Sequence, residues 1–173
     1  MLELARPGDI LVTRNTDLVG NDNPGYWNHS AVMAFGGYVI EAQPEPAAVI
    51  AVPSESFEQR YPEILVFSVS ENGDRIAQEA VKLLGLPYRR LASVFPRDRR
   101  PKLGENCVSV VRKAVDKALG RDPRWRRPDQ VAADLREEIG RKKDYENWVA
   151  PVDRFAGMTT SKEVVLAGRG RQL

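Results

Sequence analysis

His29-Ser30-Ala31-Val32-Met33-Ala34-Phe35-Gly36-Gly37-Tyr38-Val39-Ile40-Glu41-Ala42 decides the fold, because two apolar, β-branched runs meet there at a pair of glycines. Runs of that kind around a glycine turn read as a β-hairpin. Side chains alternate along a strand, so the length of the turn decides which of them share a face. A two-residue Gly36-Gly37 turn pairs Phe35 with Tyr38 and puts His29 and Glu41 on opposite faces. A three-residue Phe35-Gly36-Gly37 loop pairs Ala34 with Tyr38 and sets Glu41 opposite Ala31. His29 then lies diagonal to Glu41 at about 7 to 8 Å between backbones, a gap that a long carboxylate side chain can span. Glycine suits the left-handed position such a loop requires, so the expectation is the odd-length loop with Gly36 or Gly37 at positive φ.

Outward from the hairpin, Pro7-Gly8-Asp9 turns into a strand over Ile10-Leu11-Val12-Thr13, and the polar stretch Asn21 to Gly25 leads to Tyr26 and Trp27. Further strands are expected at Ala48 to Val52 and at Ile64 to Val69. The spacing of Ile76, Ala77, Ala80, Val81 and Leu84 predicts a helix over 74–84, stopped by Gly85 and Pro87. A second helix is predicted from about Asn106 to Leu119, closed by Gly120, with Cys107, Val111, Ala114 and Ala118 on one face. A third is predicted over 128–139, with Val131, Leu135 and Ile139 buried, and a last strand over 162–167. Helices grouped against a largely antiparallel sheet give an α+β fold, and residues 1–173 read as one domain.

Apolar residues make up 42% of the chain and charged residues 29%, as in an ordinary soluble protein. Lys and Arg number 26 against 24 Asp and Glu, and a net charge of +2 argues against nucleic acid as a partner. Two local clusters stand out: Arg97, Arg99, Arg100 and Lys102 before the cysteine helix, and Arg121, Arg124, Arg126 and Arg127 around Trp125. They read either as a solvated basic rim or as a surface that attracts an anion. The N-terminal residues lack the basic and apolar regions of a signal peptide, and no apolar run approaches the ~18 residues of a membrane span, so a cytoplasmic protein is expected. A single cysteine cannot form an internal disulfide, and one cysteine with one histidine is a poor ligand inventory, so neither metal nor cofactor is expected.

That lone cysteine and lone histidine nevertheless sit where a thiol chemistry needs them. Taken separately, a helical cysteine is ordinarily a small buried hydrophobe and a strand histidine a structural one. Cys107, however, opens a helix, where unpaired amides and the dipole favour thiolate, and an imidazole can take and return its proton. Glu41 supplies the partner that fixes the tautomer of His29, and Glu41→Gln is expected to be a mild change because an amide still accepts from the ring. The Cys107 N–H is the natural first oxyanion donor. Asn106, Asn28, Tyr26 and Trp27 are candidates for further oxyanion or substrate contacts, each serving equally well as a cap or loop residue.

In order, Pro7 to Val12, His29 to Met33, Val39 to Ala42, Leu84-Gly85-Leu86-Pro87-Tyr88 and Asn106 to Val111 resemble the circularly permuted papain-like cysteine hydrolases of the NlpC superfamily. The nearest branch is YiiX/YaeF-like, with lecithin:retinol acyltransferase-like proteins more distant. The resemblance covers roughly residues 5–119. It implies a papain-like core with Cys107 as nucleophile, His29 as general base and acid, and Glu41 as the residue that orients the imidazole. The implied activity is a cysteine peptidase or amidase acting on a peptide, amide or acyl-ester substrate. A lipid-directed thioesterase or acyltransferase is the alternative within the same chemistry, for which Pro44 to Pro53 is the candidate lid. From another class, a non-catalytic module would hold an anionic partner on the Arg-rich rim and Trp125.

Overall fold

The computed structural model describes residues 2–14, 25–68, 72–88, 104–141 and 163–167. Its centre is a six-stranded sheet built from β1 (Ile10–Arg14), β2 (His29–Met33), β3 (Tyr38–Gln43), β4 (Ala48–Pro53), β5 (Glu63–Phe67) and β6 (Glu163–Ala167). The spatial order is β4-β3-β2-β1-β5-β6, antiparallel throughout except for β6, which runs parallel to β5. Four helices accompany it: α1 (Ser54–Arg60), α2 (Gly73–Val81), α3 (Cys107–Leu119) and α4 (Pro128–Arg141). The fold is therefore α+β. Among the described residues no helix is long and apolar enough to cross a membrane.

Strand alternation sorts the core into two layers. Ile10, Val12, Val32, Ile40, Ala42, Leu65 and Phe67 pack with Ile76 and Ala80 of α2, Val111 and Ala114 of α3, and Val131 and Leu135 of α4. Leu11, Ala31, Met33, Val39, Ile64 and Val66 form the opposite layer with Leu2, Phe57 and Tyr61. Three helices thus cover one face, while α1 and the N-terminal turn cover the other.

The hairpin has the odd-length connection. Phe35–Gly37 form one short 3-10 turn, Gly36 and Gly37 sit at φ of 66° and 76°, and the Ala34 N–H donates to the Tyr38 carbonyl at 2.7 Å. The pairs Val32–Ile40 and Met33–Val39 set a register that one further residue would carry to Ala31 opposite Glu41, but the ladder stops before it.

Several expectations change. The helix predicted over 74–84 ends at Val81, and Gly85 at φ 77° closes the turn after it. Helix α1 was not foreseen, because only Phe57 and Tyr61 mark its apolar side and two positions give little periodicity. The candidate lid at Pro44 to Pro53 is instead a turn followed by β4, which pairs with β3 from Gln43–Ala48 to Tyr38–Pro53. The segment from Tyr145 to Met158, the first basic cluster at Arg97 to Lys102 and the tail over 168–173 lie outside the described residues.

The Pro7-Gly8 turn shows why a glycine is required at its second position. Gly8 holds φ 86°, and a Cβ there would lie 2.0 Å from the Gly73 carbonyl oxygen at the start of α2. Backbone cannot yield as a flexible side chain can. Gly8→Ala is expected to destabilise the fold by about 3 kcal/mol through left-handed strain plus overpacking. At this chain length that lowers the melting temperature by roughly 6 to 12 °C, a shift thermal denaturation followed by circular dichroism resolves. An unshifted transition would show that the turn is not docked on α2.

Candidate functional site

Helix α3 begins where its sequence says it should. Asn106, in extended conformation, accepts the Ser109 N–H at 2.8 Å, and Ser109 Oγ accepts the Asn106 N–H at 2.8 Å, forming a complete capping box. Ser109 Oγ also donates to Glu105 Oε2 at 2.6 Å, and buried Glu105 is ion-paired to Lys113. Gly120, left-handed at φ 66°, closes the helix. Cys107 is consequently fixed as the first helical residue, with a backbone N–H that has no intrahelical acceptor. Its side chain is 7% exposed and belongs to the three-helix layer.

His29 approaches from the other layer. Its ring stacks on Tyr61 with centroids 5.1 Å apart and planes 6° from parallel, and lies 6.3 Å from the Phe57 ring. Cysteine and histidine meet because the sheet forks between them. Strand β2 pairs with β1 as far as His29–Thr13, and β3 pairs with β4 as far as Gln43–Ala48, yet β2 and β3 pair with one another only at Val32–Ile40 and Met33–Val39. Beyond that point β2 and β3 do not pair, and the His29 and Cys107 side chains are hydrogen bonded across this unpaired stretch.

The same fork frees a backbone donor. The Met33 N–H donates to Asp9 of the β1 side, whereas Ala34 donates to Tyr38 of β3, so even-numbered positions of β2 face β3. Ser30 is the even position that finds no β3 partner, and its N–H hydrogen bonds the Cys107 sulfur instead.

On its far side His29 Nε2 lies 2.8 Å from Glu41 Oε2, which leaves Nδ1 for the sulfur. Glu41 is fully buried, and its carboxylate also accepts from Gln43 Nε2 at 2.6 Å and is ion-paired to Arg60 through Oε1. The Tyr61 hydroxyl, 3.0 Å from Gln43 Nε2, lies 3.5 Å from the same Oε2. The electrostatic consequences are opposed. Burial pushes the imidazole down, but its bonds to Cys107 and Glu41 outweigh this and raise His29 to about 9. Burial pushes the thiol up, but the hydrogen bond and charge of His29, with the Ser30 backbone N–H, bring Cys107 below an ordinary thiol. Glu41 is likewise lowered against its burial by His29 and Arg60. These are the shifts of a thiolate–imidazolium pair backed by a carboxylate.

Of the further candidates, two are engaged elsewhere. The Asn106 side-chain oxygen serves as the helix cap. Tyr26 is exposed, donates to Glu63 Oε2 at 2.6 Å and lies under the Arg14 guanidinium. Trp27 is partly buried against the core layer that contains Cys107, and its backbone N–H is held by Asp129 Oδ1 at 2.9 Å, which clamps the approach to β2 onto α4. Asn28 continues the ladder by donating its N–H to Thr13, and is the candidate adjoining His29. Trp125 is not a stacking platform. It is 4% exposed and its indole N–H donates to Asp134 Oδ2 at 2.7 Å, which removes the aromatic half of the anion-binding expectation. Sequence reading did not find Arg60, Gln43, Tyr61 or Ser30.

Fold and site together define an α+β protein that presents a helix-start thiol and a carboxylate-backed imidazole at a fork in its sheet. In fold it is similar to a protein described as metalloprotein yiiX from Escherichia coli O157:H7, DUF1105, with a TM-score of 0.50 and 23% identity over 79% of this chain and 83% of that one. No protein-family model and no curated protein matches the chain.

Proposed function

We propose that this protein is a cysteine hydrolase that cleaves an amide or peptide bond through an acyl-enzyme on Cys107. The observation that carries the reading is the position of His29, bonded on one side to the Cys107 sulfur and on the other to buried Glu41, with the thiol lowered and the imidazole raised. The thiolate attacks the carbonyl carbon, and the Cys107 N–H donates to the oxygen that gains charge. Imidazolium then gives its proton to the leaving amine, and the C–N bond breaks to leave a thioester. Water adds to the thioester while His29 takes its proton, and the acid departs with thiolate restored. Papain-like ancestry, permuted so that His29 and Glu41 precede Cys107, remains part of this proposal.

The structural neighbour is described as a metalloprotein. Here the donor set does not fit a resident metal: among the described residues no three His, Cys, Asp or Glu side chains converge on one point, and His29 is committed to Glu41 and Cys107.

The test is a pair of pH profiles between about pH 5 and 10. The reactive form carries thiolate and imidazolium together, so it accumulates as pH rises through the lowered Cys107 value and is lost as pH rises through about 9, where His29 gives up its proton. Alkylation of Cys107 by iodoacetamide is expected to rise below the ordinary thiol value of about 8.5 and to change again near the upper limit. Hydrolysis of peptide and acyl-ester probes is expected to be bell-shaped over the same window, with an acyl adduct on Cys107 in intact-mass spectra. A single alkylation step at an ordinary thiol value would overturn the proposal.

A further inference from the structure

Ser30 carries a second polar group at the sulfur. The residue is fully buried, and its Oγ is one of two buried side-chain oxygens among the described residues that have no hydrogen bond of full geometry. An orphaned buried hydroxyl costs stability, so its retention needs a reason. Strand alternation turns the Ser30 side chain toward the three-helix layer, on the side opposite its neighbour His29, and there it lies against Cys107. A thiol is a weak acceptor that leaves the hydroxyl under-used, whereas a thiolate accepts strongly.

We propose that the Ser30 hydroxyl holds the ionised nucleophile in the fork, turning its O–H onto Sγ when Cys107 is thiolate and releasing it when the sulfur is acylated. The inference rests on the cysteine-hydrolase reading and assigns to it a donor beyond Cys107, His29 and Glu41. A sulfur in a thioester accepts poorly, so the bond stabilises the resting nucleophile but not the acyl-enzyme. The backbone N–H of Ser30 supplies a permanent donor to the same atom, and the hydroxyl supplies a rotatable one.

Among the described residues, the other charged and titratable groups around the sulfur are His29 from β2, Tyr61 behind its ring, and the Glu41–Arg60 pair beyond it. Ser30→Ala alters none of them and keeps the backbone N–H. The midpoint of Cys107 alkylation is expected to rise by about one pH unit, a roughly tenfold slower reaction on the acid side of the profile, with the plateau rate retained. Above the Cys107 midpoint the variant loses the bond to thiolate, so its melting temperature is expected to fall by roughly 3 to 5 °C there and to stay equal or rise below it, where the hydroxyl is unpaired. A purely structural serine would change stability and leave the midpoint in place.

If Ser30→Ala folds poorly, Ser30→Thr and Ser30→Val, alike in shape and different in the hydroxyl, pose the same question, with Thr expected to keep the lower midpoint. An alkylation midpoint unchanged in Ser30→Ala, or equal in the Thr and Val variants, overturns the proposal. A low midpoint that rises in Ser30→Ala without turnover of any amide or ester probe supports it, and it is then the hydrolase reading that falls. An ordinary thiol midpoint in the unmodified protein overturns both.

Discussion

Cys107→Ala is expected to abolish turnover while leaving a folded protein. Removing the nucleophile of a comparable three-residue site lowers turnover by roughly a million-fold, and what survives comes from the remaining binding and oxyanion groups. The fold should tolerate it, because the change removes one sulfur from a nearly buried position while the Asn106–Ser109 capping box that starts α3 stays whole. His29 keeps its bond to Glu41 and its stack on Tyr61, so the site's architecture persists without its reacting atom. Steady-state hydrolysis and intact-mass labelling check the first part, and thermal denaturation the second. Turnover retained in a folded Cys107→Ala protein would remove the acyl-enzyme mechanism.

Glu41→Gln is expected to be a severe change, contrary to the mild one that the tautomer argument suggests. The surroundings of Glu41 are all donors: His29 and Gln43 at Oε2, Arg60 at Oε1, with the Tyr61 hydroxyl nearby. An amide must turn its NH2 toward one side or the other. Either choice sets donor against donor in a fully buried position, and the negative charge that Arg60 pairs with is gone. Breaking a buried pair costs about 3 to 5 kcal/mol, but the Arg60 side chain is 36% exposed and water recovers part of that, so about 2 to 3 kcal/mol is expected. The melting temperature should fall by roughly 4 to 12 °C. Activity should fall with it, because the imidazolium loses its carboxylate and His29 returns toward the value that burial dictates. Adding Arg60→Met to Glu41→Gln should cost less than the sum of the two single changes, since the second removes a charge the first has stranded. Strict additivity in that cycle would show that the pair does not act as a unit.

What could be read from sequence was what local rules control. Asn106 and Gly120 bracket the cysteine helix by capping chemistry that acts within a few residues, and the glycine pair set the hairpin register by the parity of one loop. His29 and Glu41, twelve residues apart, could therefore be brought together on paper. The fork could not, because it depends on where β2 and β3 stop pairing relative to their outer neighbours, and no local signal encodes that. Ser30 was invisible for the same reason. Arg60, Gln43 and Tyr61 reach Glu41 from α1 and from the strand end, and α1 is too short to announce itself by period. Trp125 misled because four arginines surround it in sequence, while its partner Asp134 sits on the next helix. A charged neighbourhood along the chain says little about which way one ring points.

The fork sets function against a tidier sheet. Closing it by pairing Ser30 with Ala42 would add ladder hydrogen bonds and lengthen the β2–β3 contact, a change that selection for stability alone would favour. It would also take the Ser30 amide away from the sulfur and zip up the unpaired stretch where His29 meets Cys107. Variants chosen only for higher melting temperature should therefore include some that zip these strands together, and such variants would be more stable and inert.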